Sequence, residues 1–134
     1  MEYSKRSKEI LSDADANLQK VFMFVIKLGL VDITIIQSTR SRSEQERLYN
    51  IGKSKVQWPN SKHNHMPSKA IDAAPYVDGK VSWDTNHCIF LAGIVCAVGA
   101  SMGIKIRWGG NWDMDGEPIT DQDFQDLVHY EIGE

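Results

Sequence analysis

Ser61-Lys62-His63-Asn64-His65-Met66-Pro67-Ser68-Lys69-Ala70-Ile71-Asp72-Ala73-Ala74 places two histidines and an aspartate where a polar loop runs into an apolar strand. Upstream, Gly52 to Ser68 is rich in Lys, Asn, Ser and Pro and reads as one long loop. Loops of that length in compact domains are more often functional than idle. Lys69–Ala74 reads as a strand, and Asp72 is its odd residue. A carboxylate among Ala and Ile is costly unless it is paired or holds a metal; the alternative is an edge strand with Asp72 turned to water.

Working outward, Val31–Gln37 (VDITIIQ) is β-branched and reads as a buried strand. Before it, Ser4–Leu11 reads as a short helix. A second helix, with Ser12 as cap and Asp15 three residues on, runs to about Leu28, and Gly29 stops it. Its apolar positions Ala14, Leu18, Val21, Phe22, Val25 and Leu28 keep a helical period. Ser43–Ile51 is a further amphipathic helix, with Ser43 as cap and Glu46 three residues later. Downstream, Asp84–Met102 is the most apolar helix, closed by Gly103. Ile104–Trp108 is a short strand, Thr120–Asp126 a helical turn and Leu127–Ile132 a final strand. Helices and strands mix without a βαβ rhythm. The expectation is one α+β domain over residues 1–134, with a small, mainly antiparallel sheet and helices packed around it.

Composition narrows the function classes. With 42% hydrophobic and 25% charged residues the chain is ordinary globular protein, and a net charge of −3 gives no general reason to expect nucleic acid or an anionic membrane as partner. No apolar run approaches the roughly eighteen residues of a membrane span. The first ten residues, MEYSKRSKEI, are polar, and Val21–Leu30 is interrupted by Lys27, so no secretory signal is read. Cys88 and Cys96, eight residues apart on one helix, stand about 12 Å from each other, too far for a disulfide. They read as buried thiols of a protein made in a reducing compartment.

At the far end, Asp126-Leu127-Val128-His129-Tyr130-Glu131-Ile132 alternates so that His129 and Glu131 share one strand face. That face is either the wet side of a sheet or part of a site. Two imidazoles and a carboxylate are a zinc ligand set that leaves a position for water, and a further carboxylate must then accept the water's proton. The helix-borne HExxH signature is absent. His87 reads as the polar start of the long helix. Asp113-Met114-Asp115-Gly116-Glu117 lacks the full calcium loop and reads as an acidic turn.

Several stretches, in order, resemble the zinc D-alanyl-D-alanine carboxypeptidase/VanY-like metallopeptidases, and among them the phage endolysins of the L-alanyl-D-glutamate peptidase type. They are Ser38-Thr39-Arg40, Ser43 to Tyr49, Gly52-Lys53-Ser54-Lys55, Ser61-Lys62-His63-Asn64, Pro67 to Asp72, Arg107 to Trp112 and His129-Tyr130-Glu131. The resemblance implies a Hedgehog/DD-peptidase-like fold with Zn²⁺ held by His63, Asp72 and His129. It implies Asp126, three positions before His129, as catalytic base, and Arg40 as the group that stabilises the oxyanion. Trp108 and Trp112 are candidates to line the substrate groove, and Glu131 is the reserve base.

The spacing departs from the shorter family form. His63 lies nine positions before Asp72 and His65 lies seven before it, with Ser68 standing near the family's glycine. Because Ser61 precedes His63 by two, His63 is preferred and His65 is the alternate ligand. Asp126 stands where many relatives carry Glu, and Asn111 where they often carry Asp. The implied activity is hydrolysis of peptidoglycan stem peptides, as an L-Ala-D-Glu endopeptidase of phage lysis. A D,D-carboxypeptidase and a non-catalytic zinc- or wall-binding module are the alternatives. The implied setting is a monomer without a separate wall-binding domain. It accumulates in the host cytoplasm and reaches the wall after another, pore-forming protein permeabilises the membrane.

Overall fold

A computed structural model describes residues 1–134 apart from 118, 119, 121, 123, 124 and 134. Its elements run α1 (Lys5–Leu11), α2 (Ala16–Lys27), β1 (Ile33–Gln37), α3 (Arg42–Asn50), a 3₁₀ turn (Lys62–Asn64), β2 (Ala70–Val77), β3 (Lys80–Val81), α4 (Thr85–Ser101), β4 (Ile106–Gly109) and β5 (Asp126–Ile132). The strand order is β1-β2-β5-β4 with every pairing antiparallel, and β3 forms a hairpin with β2. The expected α+β architecture is what the chain adopts.

The helix starts differ from the sequence reading. Ser12 belongs to α1 as its C-cap, in αR conformation, with its hydroxyl donating to the Glu9 carbonyl. Asp15 caps α2 instead, accepting from the Asn17 N–H. Likewise Ser41, not Ser43, caps α3, because Ser41 holds the extended backbone that lets its oxygen reach the Glu44 N–H. Two serines within a turn satisfy the same pattern, and only backbone conformation separates them. Gly29 does end α2, at φ +70. Of the expected helical turn Thr120–Asp126, positions 121, 123 and 124 lie outside the described residues, and Asp126 itself opens β5.

Strand alternation divides the sheet into two faces. Ile33, Ile35, Ile71, Ala73, Ile106, Trp108 and Tyr130 belong to one buried cluster with Leu18, Val21, Phe22 and Val25 of α2 and Leu91 and Val95 of α4. Phe22 meets Tyr130 edge-on, with ring centroids 5.4 Å apart. A Cβ at Gly99 would lie 2.8 Å from both the Ile104 carbonyl and Ile106, so glycine there lets α4 settle onto the start of β4. Cys88 is buried within this layer, whereas Cys96 is only half-buried; both are unpaired thiols. The other face carries the polar residues. β2 lies inside the sheet, not at its edge, so Asp72 is flanked by Gln37 of β1 on one side and His129 of β5 on the other.

Candidate active site

Register alone brings the first two groups together. Asp72 and His129 are direct antiparallel partners, and one step along, Glu131 of β5 is opposite Arg107 of β4. His63 arrives from the loop on the 3₁₀ turn. Ser61 caps that turn through a reciprocal pair in which its hydroxyl accepts from the His63 N–H and its own N–H donates to the Asn64 side chain. The turn is tied to the sheet by Lys69 N–H on the Lys62 carbonyl (3.0 Å), and to the β1–α3 connection by Arg40 N–H on the His63 carbonyl (2.8 Å).

Three acceptor atoms then converge. His63 Nε2 lies 3.1 Å from Asp72 Oδ1 and 3.2 Å from His129 Nδ1, and His129 Nδ1 lies 3.4 Å from Asp72 Oδ1. The remaining ring nitrogens are already engaged. His63 Nδ1 is 2.7 Å from the Ser38 carbonyl, which can only accept, so that nitrogen carries the hydrogen and Nε2 a lone pair when the ring is neutral. His129 Nε2 is 2.8 Å from Glu131 Oε1, which assigns its hydrogen in the same way and turns the Nδ1 lone pair inward. Two lone pairs and a carboxylate oxygen at such distances repel unless a cation lies among them. His63, Asp72 and His129 are a group that can hold a metal ion.

Without a metal, a proton meets that need. Burial of His129 favours the neutral ring, but hydrogen bonds to Asp72 and Glu131 outweigh it and push the imidazole up to about 9. Burial of Asp72 would raise its carboxyl; the charge of His63 and the hydrogen bonds from both rings overcome that and hold it far below the usual carboxylate range. Glu131, also raised by burial, is brought down to about 2 by His129 and Arg107. Its second oxygen takes Arg107 Nη2 at 2.7 Å and Lys62 Nζ at 3.3 Å, and Lys62 also donates to the Ile132 carbonyl. Glu131 is therefore an anchoring carboxylate with every oxygen committed.

Around the triad opens a cleft of about 340 Å³ whose lining includes Arg40, His63, Trp112, Asp126 and His129. Arg40 is fixed by Gln37, whose Oε1 accepts from Nε at 2.9 Å and Nη2 at 2.8 Å, and by Gln45, whose Oε1 accepts from Nη1 at 2.9 Å. Its Nη2 stands 3.7 Å from Asp72 Oδ2. Burial lowers the guanidinium's affinity for its proton, while Asp72 and Asp126 pull the other way. Asp126 is half-buried, and burial together with the charge of Asp72 raises its carboxyl, against the pull of His129, His63 and Arg40. The Trp112 ring lies 5.4 Å from that of His129 and 5.6 Å from the Arg107 guanidinium carbon.

Trp108 sits elsewhere. It is 4% exposed, its indole N–H donates to the Leu127 carbonyl at 2.8 Å, and it lines an apolar cavity between α4 and β4. It packs the sheet and does not border the cleft. His65 is exposed at the end of the 3₁₀ turn and faces a different depression, beside Ser41 and Glu44. His87 is exposed and bonded to Ser82, and Asp113 and Asp115 lie in an exposed turn. Sequence reasoning gave no role to Gln45, which is 0% exposed. Its Nε2 donates to Ser54 Oγ at 2.9 Å and the Val56 carbonyl at 2.6 Å while its Oε1 holds Arg40. The available signal was an uncharged amide on the inward side of a helix, RSEQERLYN, that otherwise offers little to bury.

Comparison with known proteins bears on this arrangement. The profile described as phage L-alanyl-D-glutamate peptidase matches residues 1–132. The L-alanyl-D-glutamate peptidase of Escherichia phage T5 is 31% identical over 116 residues, which cover 86% of this chain and 84% of that protein. Among solved structures, the Serratia marcescens L-Ala D-Glu endopeptidase ChiX shares the fold, with a TM-score of 0.80 at 23% identity over 98% of this chain and 90% of its own. The LD-carboxypeptidase LdcB is more distant, with a TM-score of 0.57 at 15% identity over 89% of this chain and 58% of its own. With residues 1–132 matched and a curated relative aligned over most of its length, the chain belongs to the phage L-alanyl-D-glutamate peptidase family.

Proposed function

We propose that the protein is a zinc-dependent endopeptidase that cuts the L-Ala-D-Glu bond of peptidoglycan stem peptides during phage lysis. The observation that carries this reading is the triangle of His63 Nε2, His129 Nδ1 and Asp72 Oδ1, with edges of 3.1, 3.2 and 3.4 Å. A tetrahedron with zinc–nitrogen bonds of ~2.0 Å has edges of about 3.3 Å. Zinc held by these three atoms would supply Lewis acidity, making water a competent nucleophile near neutral pH. Asp126, with its carboxyl raised by burial, accepts the proton of the attacking water and returns it to the leaving amine. Arg40, clamped by Gln37 and Gln45, presents a fixed positive charge toward the oxygen that gains charge in the tetrahedral state. Trp112 forms a wall of the groove. Glu131 keeps the His129 ring oriented.

No helix among the described residues is long and apolar enough to cross a membrane. In a phage setting the enzyme works as a monomer on the wall, from the host cytoplasm, once a separate pore-forming protein has opened the membrane. The test is digestion of purified walls by wild type, His129→Ala and Asp126→Ala, with zinc measured on the same samples and the new chain ends identified by mass. Wild type should carry about one zinc and free an L-Ala carboxyl and a D-Glu amine. His129→Ala should lose metal and activity together; Asp126→Ala should keep the metal only. New ends between two D-alanines would replace this reading with a D,D-carboxypeptidase, and zinc without peptide release with a binding module.

A further inference from the structure

The turn after α3 is built more firmly than its exposure requires. Gly52 takes φ +79, and the Lys53 and Ser54 N–H groups both return to the Leu48 carbonyl at 2.9 and 3.1 Å. Ser54 Oγ and the Val56 carbonyl then accept from the buried Gln45 amide. The result is a short arm, Lys53 to Val56, pinned at its base while Lys53 and Lys55 stay exposed along the rim of the catalytic cleft.

Three of the cleft's cations are matched by carboxylates. Arg40 faces Asp72, and Arg107 and Lys62 share Glu131. Among the described residues no carboxylate lies within ion-pair distance of Lys53. A cation held on a rigid arm beside a hydrolytic site is a receptor for substrate anion. The bond proposed above supplies one. D-Glutamate linked through its amine to L-alanine has two carboxyl groups, and a linear chain continues through only one. The other remains an anion within a few bonds of the scissile nitrogen.

We propose that the Lys53–Val56 arm is the specificity element for this D-glutamyl residue, with Lys53, next to Lys55, receiving its free carboxylate. This inference rests on the peptidase reading. Gln45 is a positioning residue for it, since one amide fixes both the arm and Arg40.

The experiment compares two stem peptides that differ only in this group, one with the free carboxylate and one with a carboxamide. Both are given to the zinc-loaded wild type and to the Lys53→Met and Lys53→Met/Lys55→Met variants. Wild type should prefer the carboxylate by about tenfold in kcat/KM, mainly through KM, with the preference shrinking as salt is added. In the double variant the ratio should fall to roughly one to two. Equal cleavage of both peptides by wild type, or a ratio that survives both substitutions, would overturn the assignment while leaving the peptidase reading intact. If wild type cuts neither peptide at the L-Ala-D-Glu bond, the peptidase reading fails and this inference falls with it.

Discussion

Tyr130 and His129 are adjacent on β5 and live in opposite chemistries. Tyr130 turns to the α2–α4 layer, fully buried against Phe22, and is held there by non-directional contact. His129 turns to the cleft, almost as buried at 7% exposure, and is held by three directed polar contacts with His63, Asp72 and Glu131. Burial is nearly the same, but the means of satisfying it differ. The apolar face stabilises the fold and tolerates changes of detail. The polar face must be complete or it costs more than an apolar surface would. The two faces of one sheet therefore separate stability from chemistry, and substitutions on each should divide accordingly.

The largest effect expected is on the polar face. Asp126→Asn should lower kcat by about 10²–10⁴ while zinc content and melting temperature stay close to wild type; a large loss of Tm would mean that the two faces are not separable. Its counterpart on the apolar side is Leu18→Ala, at a site with 0% exposure. Urea titration should show a loss of about 2–5 kcal/mol, with activity per folded molecule retained.

Gln45→Ala tests a residue that belongs to both accounts. It strands the Arg40, Ser54 and Val56 groups that it now satisfies, so stability should fall by about 1–3 kcal/mol and kcat should fall with it. Stability loss with kcat unchanged would reduce Gln45 to scaffolding.

Acidity sharpens the contrast for the metal-free protein. The His129 imidazole is raised from 6.5 to about 9 in the fold, so it contributes stability that is complete below pH 6.5 and lost as pH climbs through about 9. Zinc held by these three groups would need the neutral rings and would bind better over the same range. The gap in Tm between zinc-loaded and metal-free protein should therefore widen from pH 6.5 to 9, and a constant gap would contradict the proton-for-metal exchange. The smallest change is Tyr130→Phe. The Tyr130 hydroxyl is buried without a hydrogen-bond partner among the described residues, so its removal should leave stability within about 1 kcal/mol of wild type or raise it slightly.

Much of this was legible in the residues. The two-residue alternation of β5 already put His129 and Glu131 together and Tyr130 opposite, and the apolar surroundings of Asp72 marked it as a carboxylate needing a partner. Less was legible where several residues fit one pattern. Ser12 and Asp15, or Ser41 and Ser43, satisfy the same cap rule, and the choice depends on backbone angles that the sequence does not carry. Trp108 and Trp112 flank the same Gly-Gly pair, yet strand direction sends one into the core and leaves the other by the cleft. The role of Gln45 was not legible because its side-chain hydrogen bonds reach Arg40, Ser54, Val56 and Asn64, and only tertiary structure unites those partners. The antiparallel register of β2 with β5 has the same character, since it joins positions 57 residues apart (129 minus 72).

Gly109 is the register partner of Asp126, and a side chain there would overlap the Asp126 backbone carbonyl. At this pair the backbones of β4 and β5 approach so closely that no side chain fits between them. Asp126, His129 and Glu131 all belong to β5, which begins at that contact. The groove wall that Trp112 forms and the strand that carries His129 and Glu131 thus meet at one glycine, where any side chain would push Asp126 out of place.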